Sequence, residues 1–154
     1  MRNIKIIAAT ELILNQTLLK TMYLLVLNSY YEIEEQKFSI DNYTQNIQNN
    51  DMKKVIFYLE KDGEILSYLE CELLRENRYY MSRLTTDKNY RNKGYARKLL
   101  NELVEHLKMN DATEVVINVN KNKPWLRNFY EDFGFTLFSE NPELDEATYK
   151  LYIK

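Results

Sequence analysis

The chain has 154 residues, and its 21 Lys and Arg against 23 Asp and Glu give a net charge of −2. This length favours one domain over residues 1–154, and the acidic balance is atypical of nucleic-acid-binding domains, which carry a clustered basic face. The single cysteine and single histidine exclude an internal disulfide and a zinc site built from several such ligands, so we expect no metal.

The N-terminal half is predicted to contain two helices and a strand hairpin. Thr10 is a typical N-cap for the first helix. Asp62-Gly63 is a typical hairpin turn, because both central residues of a type I′ turn need positive φ. In chain order we predict a strand, a long helix, a short helix and the three strands of a meander, at Asn3–Ala9, Glu11–Asn28, Asp41–Gln48, Lys54–Glu60, Glu64–Leu74 and Arg78–Thr86.

The C-terminal half is predicted to alternate between helix and strand. Trp125, Phe129 and Phe133 recur at i, i+4 and i+8 and are expected to form the buried face of a helix that Pro124 opens. The order of elements indicates an α/β or α+β fold with a mostly antiparallel sheet. The predicted elements of this half are a helix, a strand, a second helix and two closing strands, at Tyr95–Met109, Glu114–Val119, Pro124–Phe133, Phe135–Ser139 and Thr148–Ile153.

A basic loop with a single glycine lies between the third meander strand and the clearest helix. It carries Arg91, Lys93 and Arg97 around Gly94 and Ala96. The unpaired N–H groups and partial positive charge of a helix N-terminus bind phosphate, and the small residues would let a phosphate approach the backbone. The pattern favours an anion site, although a solvated basic loop that only starts a helix fits the same residues.

Two motifs resemble those of the GNAT superfamily of N-acetyltransferases. The family's [Arg/Gln]-x-x-Gly-x-[Gly/Ala] signature after an apolar strand is matched by Arg91–Ala96, and its Leu/Phe-Tyr-x-x-x-Gly-Phe segment is similar to Phe129–Phe135. Two motifs at the right separation are more specific than either alone. The resemblance implies a central, mostly antiparallel mixed sheet of about seven strands, splayed between the fourth and fifth strands and flanked by about four helices.

The resemblance also implies that acetyl-coenzyme A is the acyl donor. Its pyrophosphate would bind backbone N–H groups from Asn92 to Ala96, and its pantetheine arm would pair with the strand around Leu84 and Thr86 like an added strand. Where the family often has an asparagine that contacts the cofactor, this chain has a lysine, and the neighbouring Asn122 is the candidate. The implied cofactor-binding residues are Leu84, Thr85, Thr86, Arg91, Asn92, Lys93, Gly94, Tyr95, Ala96, Arg97, Asn122 and Tyr130.

The catalytic candidates are one tyrosine and two glutamates. By the resemblance, Tyr130 would be the general acid for the departing thiolate, since a tyrosine pKa near ~10 suits a thiol that titrates near ~8.5. The alternative role for Tyr130 is a core aromatic. Glu70 and Glu72 share one strand face and are candidates for the general base, with ordinary salt bridges as the alternative. Cys71 points to the opposite face, as a buried hydrophobe would.

The acceptor region is more acidic than the cofactor region. Residues 1–77 hold 8 Lys and Arg against 12 Asp and Glu, whereas residues 78–154 hold 13 against 11. Glu32, Glu34 and Glu35 are clustered. Such a region would suit a small cationic amine or a peptide or protein amine, and a solvated acidic face explains the same counts. The aromatic content is compatible with a homodimer, which the sequence does not establish.

The sequence thus predicts a cytoplasmic, acetyl-CoA-dependent N-acetyltransferase in which a primary amine attacks the thioester directly in a ternary complex. The apolar runs are too short to cross a bilayer, so we expect no membrane partner, and the acidic charge balance leads us to expect no nucleic-acid partner. Two alternatives stay open. One is a non-catalytic acyl-CoA-binding regulatory module on the same fold, and the other is an interaction protein with no cofactor.

Overall fold

The computed structural model describes residues 3–30, 38–120 and 123–153. No described helix is long and apolar enough to cross a membrane. A short 3-10 turn is present over Lys88–Tyr90. Within the described residues the chain forms seven strands and five α-helices, which in chain order are β1 (Ile4–Ala8), α1 (Ala9–Leu12), α2 (Gln16–Tyr30), α3 (Ile40–Met52), β2 (Lys54–Lys61), β3 (Glu64–Arg75), β4 (Arg78–Thr86), α4 (Tyr95–Met109), β5 (Glu114–Asn120), α5 (Pro124–Phe133), β6 (Thr136–Asn141) and β7 (Glu146–Tyr152).

The strands form one mixed sheet in the order β1-β2-β3-β4-β5-β7-β6. Antiparallel pairing joins β1 to β2, β2 to β3, β5 to β7 and β6 to β7, whereas β4 and β5 are parallel. The parallel register covers three residue pairs, from Arg78 opposite Glu114 to Tyr80 opposite Val116, and both strands continue beyond it. The prediction of a mostly antiparallel sheet that parts between its fourth and fifth strands is confirmed.

The chain divides into two compact units, the first made of residues 1–72 and 83–103 and the second of residues 73–82 and 104–154. The core of the first unit is built by the apolar sides of α1, α2 and α3 and one face of β2 and β3. A sheet buries its apolar face by packing helices against it. The apolar side chains that these helices and strands contribute are therefore almost completely buried. Representative members are Leu12, Met22, Tyr43, Ile56 and Tyr68.

The core of the second unit lies on β5 and β7. Val115, Ile117 and Val119 alternate with less buried residues along β5, as expected for a strand with one covered face. Ala147 and Tyr149 are fully buried on β7. These two paired strands therefore form the central part of this unit.

The predicted helix Glu11–Asn28 is two helices. α1 ends at Leu12, and Asn15 starts α2 by accepting a hydrogen bond from the Leu18 N–H through its side-chain oxygen at 3.1 Å. An asparagine side chain competes with the helix for backbone N–H groups, so it favours a new helix start over a continuous helix. The N-cap prediction for Thr10 is also wrong, because α1 begins at Ala9 with Ala8 as its N-cap, so Thr10 lies inside the helix.

The buried face of α5 differs from the prediction. Trp125 is 67% exposed, whereas Tyr130 is only 5% exposed. Leu126, Phe129 and Phe133 are half-buried around Tyr130. These four residues follow the spacing i, i+3, i+4 and i+7 of a helix face, so the stripe that faces the core lies one residue beyond Trp125.

The predicted hairpin and the predicted α4 are confirmed. Asp62 and Gly63 have φ values of 52° and 82°, as a type I′ turn requires. Along α4 the apolar stripe is buried at Leu99, Leu103 and Leu107. Both features were specified by local sequence, a turn dipeptide and a helical repeat.

Candidate active site

The end of β4 is anchored to β3 by backbone and hydroxyl groups. The Asp87 N–H donates to a β3 carbonyl at 2.8 Å, and Ser67 Oγ donates to Thr85 O at 3.0 Å. Ser67 Oγ also lies 2.9 Å from Thr86 Oγ1. Because backbone groups alternate in direction along a strand, those of Leu84 and Thr86 point away from β3.

The loop between β4 and α4 is held by its own polar side chains. Asp87 Oδ1 caps the 3-10 turn by accepting from the backbone N–H two residues on, at 2.9 Å. Tyr90 OH donates to Glu64 Oε2 at 2.9 Å, and this hydrogen bond raises the pKa of Tyr90. Arg91 Nε donates to Thr86 O at 3.3 Å, so the first residue of the signature is tied to the end of β4.

The turn before α4 contains two residues with positive φ, Asn92 at 64° and Gly94 at 81°. A Cβ built on Gly94 meets no atom within 4 Å, so the space beside this residue is open. α4 begins at Tyr95, and the Lys98 N–H donates to Gly94 O at 3.0 Å. The first N–H groups of a helix have no acceptor within the helix and carry a partial positive charge, which suits a bound anion.

Cations surround this turn. Residues 87–98 contain one Asp and five Lys or Arg, namely Lys88, Arg91, Lys93, Arg97 and Lys98. All five cations are exposed, and the Lys93 ammonium lies 5.9 Å from the centroid of the Tyr90 ring. An exposed cluster of one sign attracts a multiply charged ligand of the opposite sign.

Glu70 lies at the centre of a buried polar cluster in the first unit. Its side chain is 0% exposed, and its Oε1 lies 2.8 Å from Lys54 Nζ. Its Oε2 accepts a hydrogen bond from Tyr68 OH and lies 3.5 Å from Arg83 Nη1. Tyr43 OH lies 2.9 Å from Tyr68 OH, and burial together with the charge of Glu70 raises the pKa of both tyrosines.

Glu72 is the more accessible of the two glutamates. It is half-buried, and its Oε2 accepts a hydrogen bond from Asn50 Nδ2 at 2.9 Å. Cys71, which lies between these two glutamates in the sequence, is buried. Burial raises the pKa of its thiol to about 12. Cys71 is therefore protonated at neutral pH and unsuited to act as a nucleophile.

Tyr130 belongs to the second unit and is packed among aromatic rings. Its ring lies edge-on to Phe129 and Phe135, with centroid distances of 5.3 and 5.4 Å. Its backbone carbonyl accepts from the Gly134 and Phe135 N–H groups at the end of α5. These contacts fit the core role considered for Tyr130, and its role as a general acid stays a prediction.

Most of the predicted cofactor residues are close together in sequence and lie in one segment of the first unit, from β4 to the first turn of α4. Asn122 lies outside the described residues, as do Glu32, Glu34 and Glu35. Among the described residues no cluster of three or more His, Cys, Asp or Glu could hold a metal ion.

Ser67, Lys54 and Arg83 were not predicted as functional residues from the sequence. Ser67 carried a usable signal, because it is a polar residue on an otherwise apolar strand face and a buried hydroxyl needs a partner. The two cations gave no such signal, since their pairing with Glu70 depends on how three strands are aligned.

Comparison with known proteins identifies the family of this chain. The model of the acetyltransferase (GNAT) family matches residues 19–135, about three quarters of the chain. The chain therefore belongs to the GNAT family, and the protein is an acetyltransferase. No curated protein sequence matches the chain significantly.

Several solved structures share the fold along nearly the whole chain. The aminoglycoside 6′-acetyltransferase type Ii has a TM-score of 0.81 at 13% identity, over 98% of this chain and 97% of that chain. The ribosomal-protein-S18-alanine N-acetyltransferase from Escherichia coli has a TM-score of 0.76 at 18% identity, over 97% and 94%. The PaiA N-acetyltransferase from Thermoplasma acidophilum, solved in complex with coenzyme A, has a TM-score of 0.70 at 16% identity, over 97% and 98%.

Proposed function

We propose that this protein transfers an acetyl group from acetyl-CoA to a primary amine by direct attack in a ternary complex. The observation that carries this proposal is the β4–α4 loop, where the family's Arg91–Ala96 signature, an open glycine turn and five cations meet at the start of a long helix. Such a loop combines the two features that bind a diphosphate, which are directed N–H groups and positive charge.

The diphosphate of coenzyme A would bind the N–H groups from Asn92 to Ala96. Arg91 and Lys93 would add charge from one side and Arg97 from the helix. The open space beside Gly94 supports this placement, because a phosphate needs close approach to the backbone.

The pantetheine arm would pair with the end of β4. The backbone groups of Leu84 and Thr86 point away from β3, since Thr85 and Asp87 bond toward it. An extended arm with amide groups can add to such a strand as another strand does. Backbone N–H groups at Leu84 or Thr86 would then polarise the thioester carbonyl.

In the chemical step, the amine nitrogen forms a bond to the thioester carbonyl carbon and the carbon–sulfur bond breaks. The amine proton would pass to Glu72, directly or through water, because Glu72 is more accessible than Glu70. The thiolate would take its proton from Tyr130. The products are an N-acetyl amine and coenzyme A with a free thiol.

The acceptor is proposed only as a class, a small cationic amine or the amine of a peptide or protein. Structures with the same fold carry names that refer to aminoglycosides and to an alanine of a ribosomal protein, which span both kinds of amine. Thiol release from acetyl-CoA, measured across a panel of aminoglycosides, polyamines and peptides with free N-termini, would identify the acceptor. Coenzyme A binding without thiol release for any amine would favour the non-catalytic alternative.

A tyrosine substitution separates the enzyme from that alternative. Tyr130→Phe removes the proton donor and is expected to lower turnover by about 100-fold or more, with coenzyme A affinity unchanged. Tyr152→Phe is the matched control, because Tyr152 is exposed at the end of β7 and has no proposed role. Full turnover of Tyr130→Phe would refute the general acid and support a core role for this ring.

A further inference from the structure

We propose that Glu70 is a positioning residue for coenzyme A binding. It holds Arg83, and through Arg83 the end of β4, in the backbone conformation that receives the pantetheine arm. This inference rests on the proposed function and gives Glu70 a role other than that of general base.

The surroundings of Glu70 are those of a fixed structural anion. Both carboxylate oxygens are engaged, one by Lys54 and the other by Tyr68 and Arg83, and the side chain has no exposed surface. A general base must reach the proton that it removes. A carboxylate enclosed by two cations and a hydroxyl is better suited to holding those groups in place.

Arg83 has an unusual backbone for a strand residue. Its φ is 52°, in the left-handed region that residues other than glycine rarely adopt, although it lies inside β4. Such a conformation persists only where surrounding contacts hold it. It also changes the direction of the chain immediately before Leu84, where the pantetheine arm is proposed to pair.

Contacts of the Arg83 side chain with other residues of the first unit hold this backbone conformation in place. Its guanidinium carbon lies 5.1 Å from the centroid of the Phe38 ring and 5.6 Å from that of the Tyr43 ring. Glu70 supplies the charge that holds the guanidinium against these two rings. On the backbone side, Thr85 Oγ1 donates to Arg83 O at 2.9 Å. The bend in β4 is thus held from its side chain and from its carbonyl.

The main test uses Glu70→Gln, which keeps the size of the side chain and an acceptor for Tyr68 but removes the charge that holds Arg83. We expect the Kd for coenzyme A and the KM for acetyl-CoA to rise about tenfold, within the ~100-fold that a displacement of an ångström can cost. We expect the pH profile of kcat to stay unchanged, because Glu70 takes no proton from the amine in this role. In the ligand-free variant, the backbone N–H groups of residues 84–86 should exchange with solvent faster than in the wild type.

Two further variants control for folding and for the buried charge. Lys54→Met removes the other cation of Glu70 but leaves the contact with Arg83, so coenzyme A affinity and exchange at residues 84–86 should stay at wild-type values. Arg83→Lys keeps the charge balance of the cluster, which protects folding, but loses the planar group that packs against the two rings. It should raise the Kd for coenzyme A as Glu70→Gln does.

The outcomes separate this inference from the proposed function. A large loss of kcat with a changed pH profile in Glu70→Gln would overturn the positioning role and make Glu70 the base. Unchanged affinity and unchanged exchange in both Glu70→Gln and Arg83→Lys would overturn it while the proposed function stands. A wild-type protein that binds no coenzyme A would instead overturn the proposed function, and the role of Glu70 in binding with it.

Discussion

Gly94 and Gly63 have almost the same φ value but lie in two different parts of the chain. Their φ values are 81° and 82°, and at neither residue would an added Cβ meet an atom within 4 Å. Gly63 lies in the β2–β3 hairpin, whereas Gly94 lies in the proposed diphosphate loop. The pair therefore allows backbone strain to be separated from ligand binding.

Alanine at either glycine is expected to lower the free energy of unfolding by about 1 kcal/mol, because a Cβ is unfavourable in the left-handed region. Only Gly94→Ala should also weaken coenzyme A binding, by about tenfold or more, since its Cβ would occupy the space of the phosphate. Denaturant unfolding and calorimetry of both variants test this. Equal coenzyme A affinities in the two variants would argue against a phosphate beside Gly94.

Single residues were predictable where the backbone alone constrains them. Gly63 and Gly94 could be interpreted from the sequence because positive φ is a local requirement. The role of Glu70 could not, because its burial and its partners Lys54 and Arg83 come from β2 and β4. Sequence periodicity placed Glu70 on a strand face without indicating whether solvent or substrate reaches that face.

Among the elements, α3 has an N-cap whose contribution can be tested by a single substitution. Ser39 Oγ accepts from the Asn42 N–H at 3.1 Å. Ser39→Ala is expected to cost about 1 kcal/mol of stability, because it leaves a helix N–H without its acceptor. Ser39→Asp, which keeps the acceptor, should retain wild-type stability, and both variants should bind coenzyme A normally.

Thermal or denaturant unfolding of the two variants measures this difference. A loss of stability in Ser39→Asp as large as that in Ser39→Ala would show that the hydroxyl contributes something other than the cap. Lower coenzyme A affinity in either variant would show that α3 is coupled to the binding loop.

Elements were predicted well where one periodicity was unambiguous. The apolar residues of α4 fit only one helical stripe, and the alternating residues of the hairpin fit only a pair of strands. In α5, five apolar residues within one helix allowed two stripes, and the one through Trp125 was the wrong choice. In α1 and α2, apolar residues continue across the break, and the capping side chain of Asn15 decided the structure.

For the whole molecule, buried acidic groups predict a loss of stability at alkaline pH. Burial raises the pKa values of Tyr43, Tyr68 and Cys71 above their ordinary values in the folded protein. Above about pH 9 the unfolded chain releases protons that the folded chain keeps, so stability falls as pH rises, by up to about 1.4 kcal/mol per pH unit for each group.

Cys71 allows one of these contributions to be isolated. Its pKa rises from 9.0 to about 12, so its contribution is fully present below pH 9 and is lost as pH rises from about 9 to about 12. The stability of Cys71→Ala, measured by denaturant unfolding, should therefore fall less steeply over this range than that of the wild type. Identical slopes would contradict a thiol held protonated by burial.

The arrangement of the sheet and the family could be predicted from element order and two motifs. The acceptor could not be predicted, because it depends on side chains that meet only in the folded protein. The charge count of the two halves also gave little guidance, since Glu70 is paired with Lys54 and Arg83 and its side chain has no exposed surface.

The central claim is that coenzyme A places its diphosphate on the N–H groups of residues 92–96. A titration of the isotope-labelled protein with coenzyme A, followed through the chemical shifts of its backbone N–H groups, tests this most directly. The account predicts that the largest shifts occur from Asn92 to Ala96, and that added salt weakens the binding because charge contributes to it. Saturable binding whose largest shifts lie in other segments, or no shifts at about millimolar coenzyme A, would contradict it.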